Sequence, residues 1–308
     1  MKLRQKYQQK LQRAIAQNDY QKAQHLIKAL DLLTRYDTGE TVEWGDEEWE
    51  VTLQAELKQT FTPKIRETLS LSASAIETYL ECPLKYRFRQ VDKIPESPNR
   101  PQLIFGTIIH RVLDQFHGTD GDLSSERILR LLDKEWRSGE FEYSEREDKL
   151  KSQAVEMLTR YVGRVSAAPP YVLETELSFS FDLDDVRISG KIDRIDDTDT
   201  GKEVVDYKTS KRSSPAKKSI QLSIYSLYLQ QCEDVVVAGI PDKVTLYFLR
   251  DEEQPEKSHS FSGNELEVTK EKIAGVARGI RGGKFESSVG FHCDWCDYKT
   301  LACPAWES

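Results

Sequence analysis

The sequence predicts an α/β protein: a mixed sheet flanked by helices, with a helical extension at its N-terminus. Three observations carry that expectation. Residues 172–181 alternate in character through Leu173, Thr175, Leu177, Phe179 and Phe181, the period of a strand with one covered face. Residues 188–195 and 203–207 are short runs joined by an Asp- and Gly-containing turn at 196–201, residues that tolerate tight-turn backbone angles. Residues 219–231 and 265–280 repeat at helical spacing instead, with a further strand at 243–249 between them. Strand, strand, strand, helix, strand, flanked by helices, is the pattern of a layered α/β domain.

The elements before that stretch follow from local signals. In residues 1–36, Leu3, Tyr7, Leu11 and Ile15 lie at helical spacing, as do Ala23, Leu26, Ile27 and Leu30 after the Asn18-Asp19 break. This predicts an αα-hairpin with a thin apolar stripe. Residues 37–69 are acidic, hold Trp44 and Trp49, and show no clear period. Residues 1–69 therefore read as a helical extension and acidic linker, an accessory or fusion arm ahead of a body at 70–308. Ser74 and Glu77 have capping-box spacing and open a helix with Ile76, Tyr79 and Leu80 on one face. Residues 105–110 open another, with Val112, Leu113 and Phe116 on its apolar side. Two amphipathic helices fill 124–165 before Pro169-Pro170 stops the second.

Charge and hydropathy exclude several roles. No run of about 18 apolar residues exists, and the polar, lysine-rich N-terminus lacks a signal-peptide core. A cytoplasmic protein with no membrane partner is expected. The net charge of −8 argues against a surface that coats nucleic acid throughout. A local basic track remains: Lys208, Lys211, Arg212, Lys217 and Lys218 follow one another without an intervening acid. It reads as a phosphate-contacting loop or, more plainly, a solvated one.

The chemistry concentrates in residues 190–225. Asp206 and Lys208 are two apart on a strand and share a face. Pairing of that strand with its predecessor brings Asp193 close. Two carboxylates at one sheet edge repel unless a cation sits between them, and oxygen ligands favour Mg²⁺ or Mn²⁺. With a lysine to orient water, the set suits metal-assisted phosphodiester hydrolysis. Gln221 and Tyr225, four apart on a helix, project together. Glu174 and Glu176 read first as an exposed polar face of the preceding strand, the alternative being an upstream glutamate that helps position metal. An Asp-x-Lys pair alone describes a charged surface hairpin equally well.

The cysteines form a second constellation. Cys293-x2-Cys296-x6-Cys303-Pro304 closes the chain, Cys82-Pro83 lies far upstream, and Cys232 is left over. Disulfides are not expected in a cytosolic chain. Four thiolates imply zinc or an iron–sulfur cluster, and spacing alone does not separate them.

Gly190, Asp193, Arg194 and Asp196, then Asp206 and Lys208, then Gln221 and Tyr225 resemble the motifs of the PD-(D/E)xK nuclease superfamily in its RecB-like branch. The resemblance covers residues 70–308 and implies a restriction-endonuclease-like sheet. It implies that Asp193, Asp206, the Tyr207 carbonyl and His110 of Gly106-x-x-x-His110 bind Mg²⁺ or Mn²⁺. Lys208 would serve the attacking water, while Gln221 and Tyr225 contact DNA or brace the site. Residues 72–88 and the cysteine arrangement resemble AddB-type iron-staple nucleases. That implies a [4Fe–4S] cluster on Cys82, Cys293, Cys296 and Cys303. The implied activity is a deoxyribonuclease, an exonuclease on single-stranded DNA or DNA ends in repair and recombination, with a helicase partner or fusion. The alternative is a DNA-end-binding module of a helicase–nuclease complex that cuts weakly or not at all.

Overall fold

The structure, a computed structural model, describes residues 2–37, 42–61, 68–96, 101–118, 121–141, 143–211, 214–234, 236–301 and 303–306. The chain divides into two compact units, Met1–Ile65 and Arg66–Ser308. Among the described residues no helix is long and apolar enough to cross a membrane.

The first unit holds α1 (Lys2–Ala16), α2 (Tyr20–Asp37) and α3 (Glu48–Phe61). The hairpin corner falls at Asn18, whose φ of 55° lies in the left-handed region that Asn tolerates. Its core uses Tyr7, Ala14, Ala23, Leu26, Ala29 and Leu33, sealed by Leu53 and Leu57 of α3. Ile15 and Ile27, expected on the apolar stripe, are exposed instead, because alanines let the two helices approach on the neighbouring face. The third helix had no visible period. Glu48 and Glu50 in its first turn favour its positive end, and the Leu53/Leu57 pair supplies its apolar contact.

The second unit opens with β1 (Leu69–Leu71), α4 (Ala73–Glu81) and α5 (Pro83–Tyr86). Ser72, in extended conformation, caps α4 by accepting from the Ala75 amide, so the expected Ser74–Glu77 capping box does not form. Three helices follow: α6 (Pro101–His117), α7 (Ser125–Glu135) and α8 (Ser144–Ala167). Then come β2 (Tyr171–Leu183), β3 (Val186–Thr198), β4 (Gly201–Lys208), α9 (Ile220–Gln231), β5 (Lys243–Phe248), β6 (Glu256–His259) and α10 (Gly263–Arg281).

The long strand β3 is the spine of the six-stranded mixed sheet. β2 runs antiparallel along one edge, from Leu183↔Val186 to Tyr171↔Asp197. The other edge is divided. β1 pairs in parallel at one end (Leu71↔Ile188), and β4 pairs antiparallel at the other, starting at Arg194↔Val205. Between them β3 has no strand partner on that edge among the described residues, and the sheet forks. β4 continues in parallel with β5, which carries the edge strand β6. Phe105, Ile108, Val112, Leu132 and Leu158 of α6–α8 pack on Val205 and Tyr247, while α9 packs on β4 and β5 from the opposite side together with α4 and α10.

Gly190, next to the fork, faces Phe179 across the β2–β3 ladder. A Cβ at Gly190 would lie 2.7 Å from the tip of that ring. The ring cannot retreat easily, because it stacks on Tyr228 at 4.7 Å and meets Tyr225 edge-on at 5.8 Å. Gly190→Ala is therefore expected to destabilise the protein by about 1–3 kcal/mol, read as a lower urea midpoint. An unchanged midpoint would show that the ring is not wedged.

Candidate active site

The fork positions the site. Continuing the β3–β4 register one step past Arg194↔Val205 sets Asp193 opposite Asp206, where the ladder stops. In place of a ladder bond, the Tyr207 amide donates to Asp193 Oδ2 at 2.8 Å. The N–H and C=O of one strand residue face the same edge, so the Tyr207 carbonyl also faces the gap. From α6, His110 Nδ1 comes within 3.3 Å of Asp193 Oδ1 and 4.0 Å of Glu176 Oε1.

Glu176 is the residue that sequence reasoning set aside. It stands opposite Asp193, between the pairs Thr175↔Arg194 and Leu177↔Ile192, and its own ladder position is missing. Its φ of 48° is left-handed, a strained conformation for a non-glycine in mid-strand. It also pairs with Lys191 at 2.8 Å. One donor atom each from His110, Glu176 and Asp193 lies within 4.8 Å of the others. Two carboxylates and an imidazole at that spacing fit a small divalent cation, with the imidazole tolerated better by Mn²⁺ than by Mg²⁺.

Asp206 is 1% exposed, with Lys208 Nζ 2.6 Å from its Oδ2. The same ammonium donates to Gln221 Oε1 at 2.8 Å, and Gln221 Nε2 donates to the Tyr225 hydroxyl at 2.5 Å. Tyr225 in turn donates to the Lys191 carbonyl at 2.7 Å and lies 3.4 Å from Asp206 Oδ1. Tyr225 is buried, so in this geometry it braces the Asp206–Lys208 pair. Burial pushes the Asp206 carboxyl up to about 6, with the Asp193 charge adding to the rise and Lys208 and His110 opposing it. Burial also pulls the Lys208 ammonium down, but Asp206, Asp193 and Glu77 outweigh it, and its pKa ends above the usual lysine value. Lys208 is thus a fixed cation, suited to orienting water and stabilising charge rather than accepting a proton. For His110 the balance is similar: burial lowers its pKa, and Asp193, Asp206 and Glu176 raise it to a net increase.

The PD-(D/E)XK nuclease superfamily model matches residues 70–304. The chain belongs to that superfamily. Among solved structures it is similar to the protein SSO0001, at 14% identity over 85% of this chain and 99% of that one, with a TM-score of 0.39. It is also similar to a candidate exonuclease from Eubacterium rectale, at 11% identity over 79% of this chain and 92% of that one, with a TM-score of 0.45.

In this superfamily member the Asp193 strand is anchored from below by a buried polar cluster. Arg194 donates to both hydroxyls of the Tyr161–Tyr207 pair (2.6 and 2.5 Å) and grips Asp196 Oδ2 through Nε and Nη2 at 3.1 and 2.8 Å. Its Nη1 also lies 3.2 Å from His117 Nε2. An arginine only donates, so Nε2 is the unprotonated nitrogen of that ring. Burial, with Arg194 and Arg127 nearby, lowers the His117 pKa to about 3. Below about pH 6.5 the unfolded chain therefore binds a proton that the folded protein refuses until about pH 3. Stability is full above that window and falls as the pH drops through it, by up to about 1.4 kcal/mol per pH unit from this group. His117→Asn is expected to flatten urea-derived stability between about pH 6 and pH 4 relative to the parent. Identical slopes would refute the assignment.

The remaining expected site residues are spread out in this nuclease-superfamily body. Lys211 and Lys218 are exposed, and Arg212 lies outside the described residues. Lys217 pairs with Glu265 at the start of α10, 3.4 Å away. Of the cysteines, Cys82 Sγ accepts from the Ser288 amide and Cys293 Sγ from the Gly290 amide, both at 3.5 Å. Cys293 Sγ also lies 4.0 Å from the Ser288 carbonyl, so Cys82 and Cys293 meet at one turn. Burial raises the Cys296 thiol pKa, with Cys82 and Cys293 adding to the rise. No side-chain contact among the described residues brings Cys303 to them, and Cys232 bonds Tyr228 elsewhere. Two further bonds tie the same segments: Tyr79 donates to the Lys284 carbonyl (2.7 Å) and Tyr298 to that of Ile94 (2.9 Å).

Proposed function

We propose that the protein is a Mg²⁺- or Mn²⁺-dependent deoxyribonuclease, an exonuclease acting on single-stranded DNA or DNA ends. The observation that carries this reading is the meeting, at the fork between β3 and β4, of the His110–Glu176–Asp193 donors with the Asp206–Lys208 pair. A divalent cation held by His110, Glu176, Asp193, Asp206 and the Tyr207 carbonyl would supply Lewis-acid activation of the scissile phosphate. Lys208 orients the attacking water and balances charge that develops on the phosphate oxygens. Gln221 and Tyr225 hold Lys208 in place, and the closed Asp193–Tyr207 contact fixes the distance between the strands.

The resemblance to AddB-type nucleases supports a [4Fe–4S] staple on Cys82, Cys293, Cys296 and Cys303, although these thiols do not form a closed ligand group among the described residues. Amide donors to Cys82 and Cys293 are the hydrogen bonds a thiolate ligand uses. The resemblance to RecB- and AddB-type nucleases supports a place in DNA repair beside a helicase. The decisive experiment is cleavage of end-labelled single-stranded DNA in Mg²⁺, Mn²⁺ and EDTA by the parent and by Asp206→Asn. The parent should cut only with metal and the variant not at all. Cutting by Asp206→Asn would sink the assignment. Binding without cutting in either metal would make the protein an end-binding module. Iron analysis after anaerobic purification tests the staple, with about four irons per chain expected and a single zinc excluding it.

A further inference from the structure

Beside the fork lies a recess that the superfamily motifs do not describe. One face of α8 forms its wall, the start of α6 its end, and the segments following β4 and β5 its rim. It consists of two contiguous hollows of about 570 and 400 Å³ that share Gln153, Glu156, Lys211 and Arg250. Arg146, Lys149, Arg160, Lys211 and Arg250 line them, against two carboxylates, Glu156 and Glu252. Both carboxylates are already engaged by Arg160, at 3.3 and 2.8 Å. The recess is therefore cationic in a chain whose net charge is −8.

Arg250 marks it as more than a solvated charge cluster. Its guanidinium lies over the Phe105 ring at 5.5 Å and donates from Nη2 to Gln153 Oε1 at 2.8 Å. Its Nε is buried with no hydrogen-bond partner among the described residues. A cation held rigid and partly desolvated without a carboxylate is complementary to an incoming anion, and a planar guanidinium suits phosphate.

The recess connects to the candidate active site through the backbone. A Cβ on Gly106 of α6 would meet Thr209 Oγ1 at 3.5 Å, so α6 and the segment after Lys208 lie side by side. From there α6 leads one turn to His110, and the other segment leads to Lys211. Gln102, at the recess, precedes His110 by about 12 Å of helix. A strand whose phosphate sits at the metal donors thus reaches the recess within a few backbone repeats.

We propose that this recess is a second subsite that holds the phosphodiester backbone of a single strand next to the candidate active site. This rests on the nuclease reading above. A cavity of this size admits one sugar–phosphate chain, and a duplex meets only its rim. Recognition is by phosphate, so ribose and deoxyribose strands are held alike.

The test is fluorescence anisotropy with labelled oligothymidylate, with Ca²⁺ in place of Mg²⁺, across a salt series. In Lys149→Gln/Arg250→Gln the affinity should fall about tenfold or more, and the log–log salt slope by about 1.4, roughly 0.7 per lost phosphate contact. KM for strand cleavage should rise with kcat within about twofold. Lys149→Gln/Lys211→Gln changes only exposed side chains and should lower the slope equally, which keeps the test valid if the Arg250 variant folds poorly. Lys272→Gln, on the surface of α10, should change nothing. Unchanged slopes in both double variants overturn the subsite. So does tighter binding of poly-glutamate than of oligothymidylate, which would make the recess a protein-docking surface. Normal cleavage with unchanged slopes counts against the subsite alone, whereas a parent that cuts nothing in Mg²⁺ or Mn²⁺ counts against the nuclease reading itself.

Discussion

Lys208→Ala is expected to lower kcat for strand cleavage by about 10²–10⁴-fold, the range for losing a positioned charge or proton-handling group at a reacting centre. The stability response should be as informative. Without the ammonium, Asp206 keeps the Asp193 charge beside it and loses its closest cation, with His110 alone left opposing the repulsion. The metal-free variant should therefore unfold at lower temperature than the parent, and Mg²⁺ or Mn²⁺ should restore more of that loss than it adds to the parent. The excess arises because a cation bound only by the folded state stabilises it by mass action. Thermal melts with and without metal, beside single-turnover cleavage, provide both readouts. A variant that cleaves within about tenfold of the parent would remove Lys208 from the chemistry.

Arg194→Met should produce the largest loss of stability, about 3–5 kcal/mol in urea unfolding. The guanidinium and Asp196 are both nearly inaccessible, and removing one partner strands the other's charge in the interior. The hydroxyls of Tyr161 and Tyr207 lose their donor as well. Arg194→Met/Asp196→Asn should recover part of the loss, because no unbalanced charge then remains. Tyr207 supplies the amide that holds Asp193, so the single variant should also bind Mn²⁺ more weakly. A cost below about 1 kcal/mol would mean the cluster is not an anchor.

Local geometry made much of the site legible. Asp206 and Lys208 share a face because strands repeat every two residues, and Gln221 and Tyr225 share one because helices nearly repeat every four. Both relations hold within a single element. Glu176 was hidden because its place depends on pairing between strands. A register shift between Val172 and Glu174, then a left-handed φ at Glu176, break the alternation that grouped it with Glu174 on an outer face. The role of Arg194 was hidden for the same reason, since its partners come from α6, α8 and β4. The mixed sheet and flanking helices follow from the strand and helix periods, but β1 and β6 are three and four residues long, too short to show a period. The cationic recess joins residues from α6 to Arg250, and nothing in a linear reading assembles them.

The bonds between residues 79–94 and 284–298 have a mechanical consequence. Tyr79–Lys284, Cys82–Ser288 and Tyr298–Ile94 each span more than two hundred residues. Tension applied between residues 79 and 298 is borne first by that clasp, and β2–β6, which lie between those positions in the chain, are shielded until it gives way. The clasp is a fuse. While it holds, load between those positions does not reach the spacing of Asp193 and Asp206.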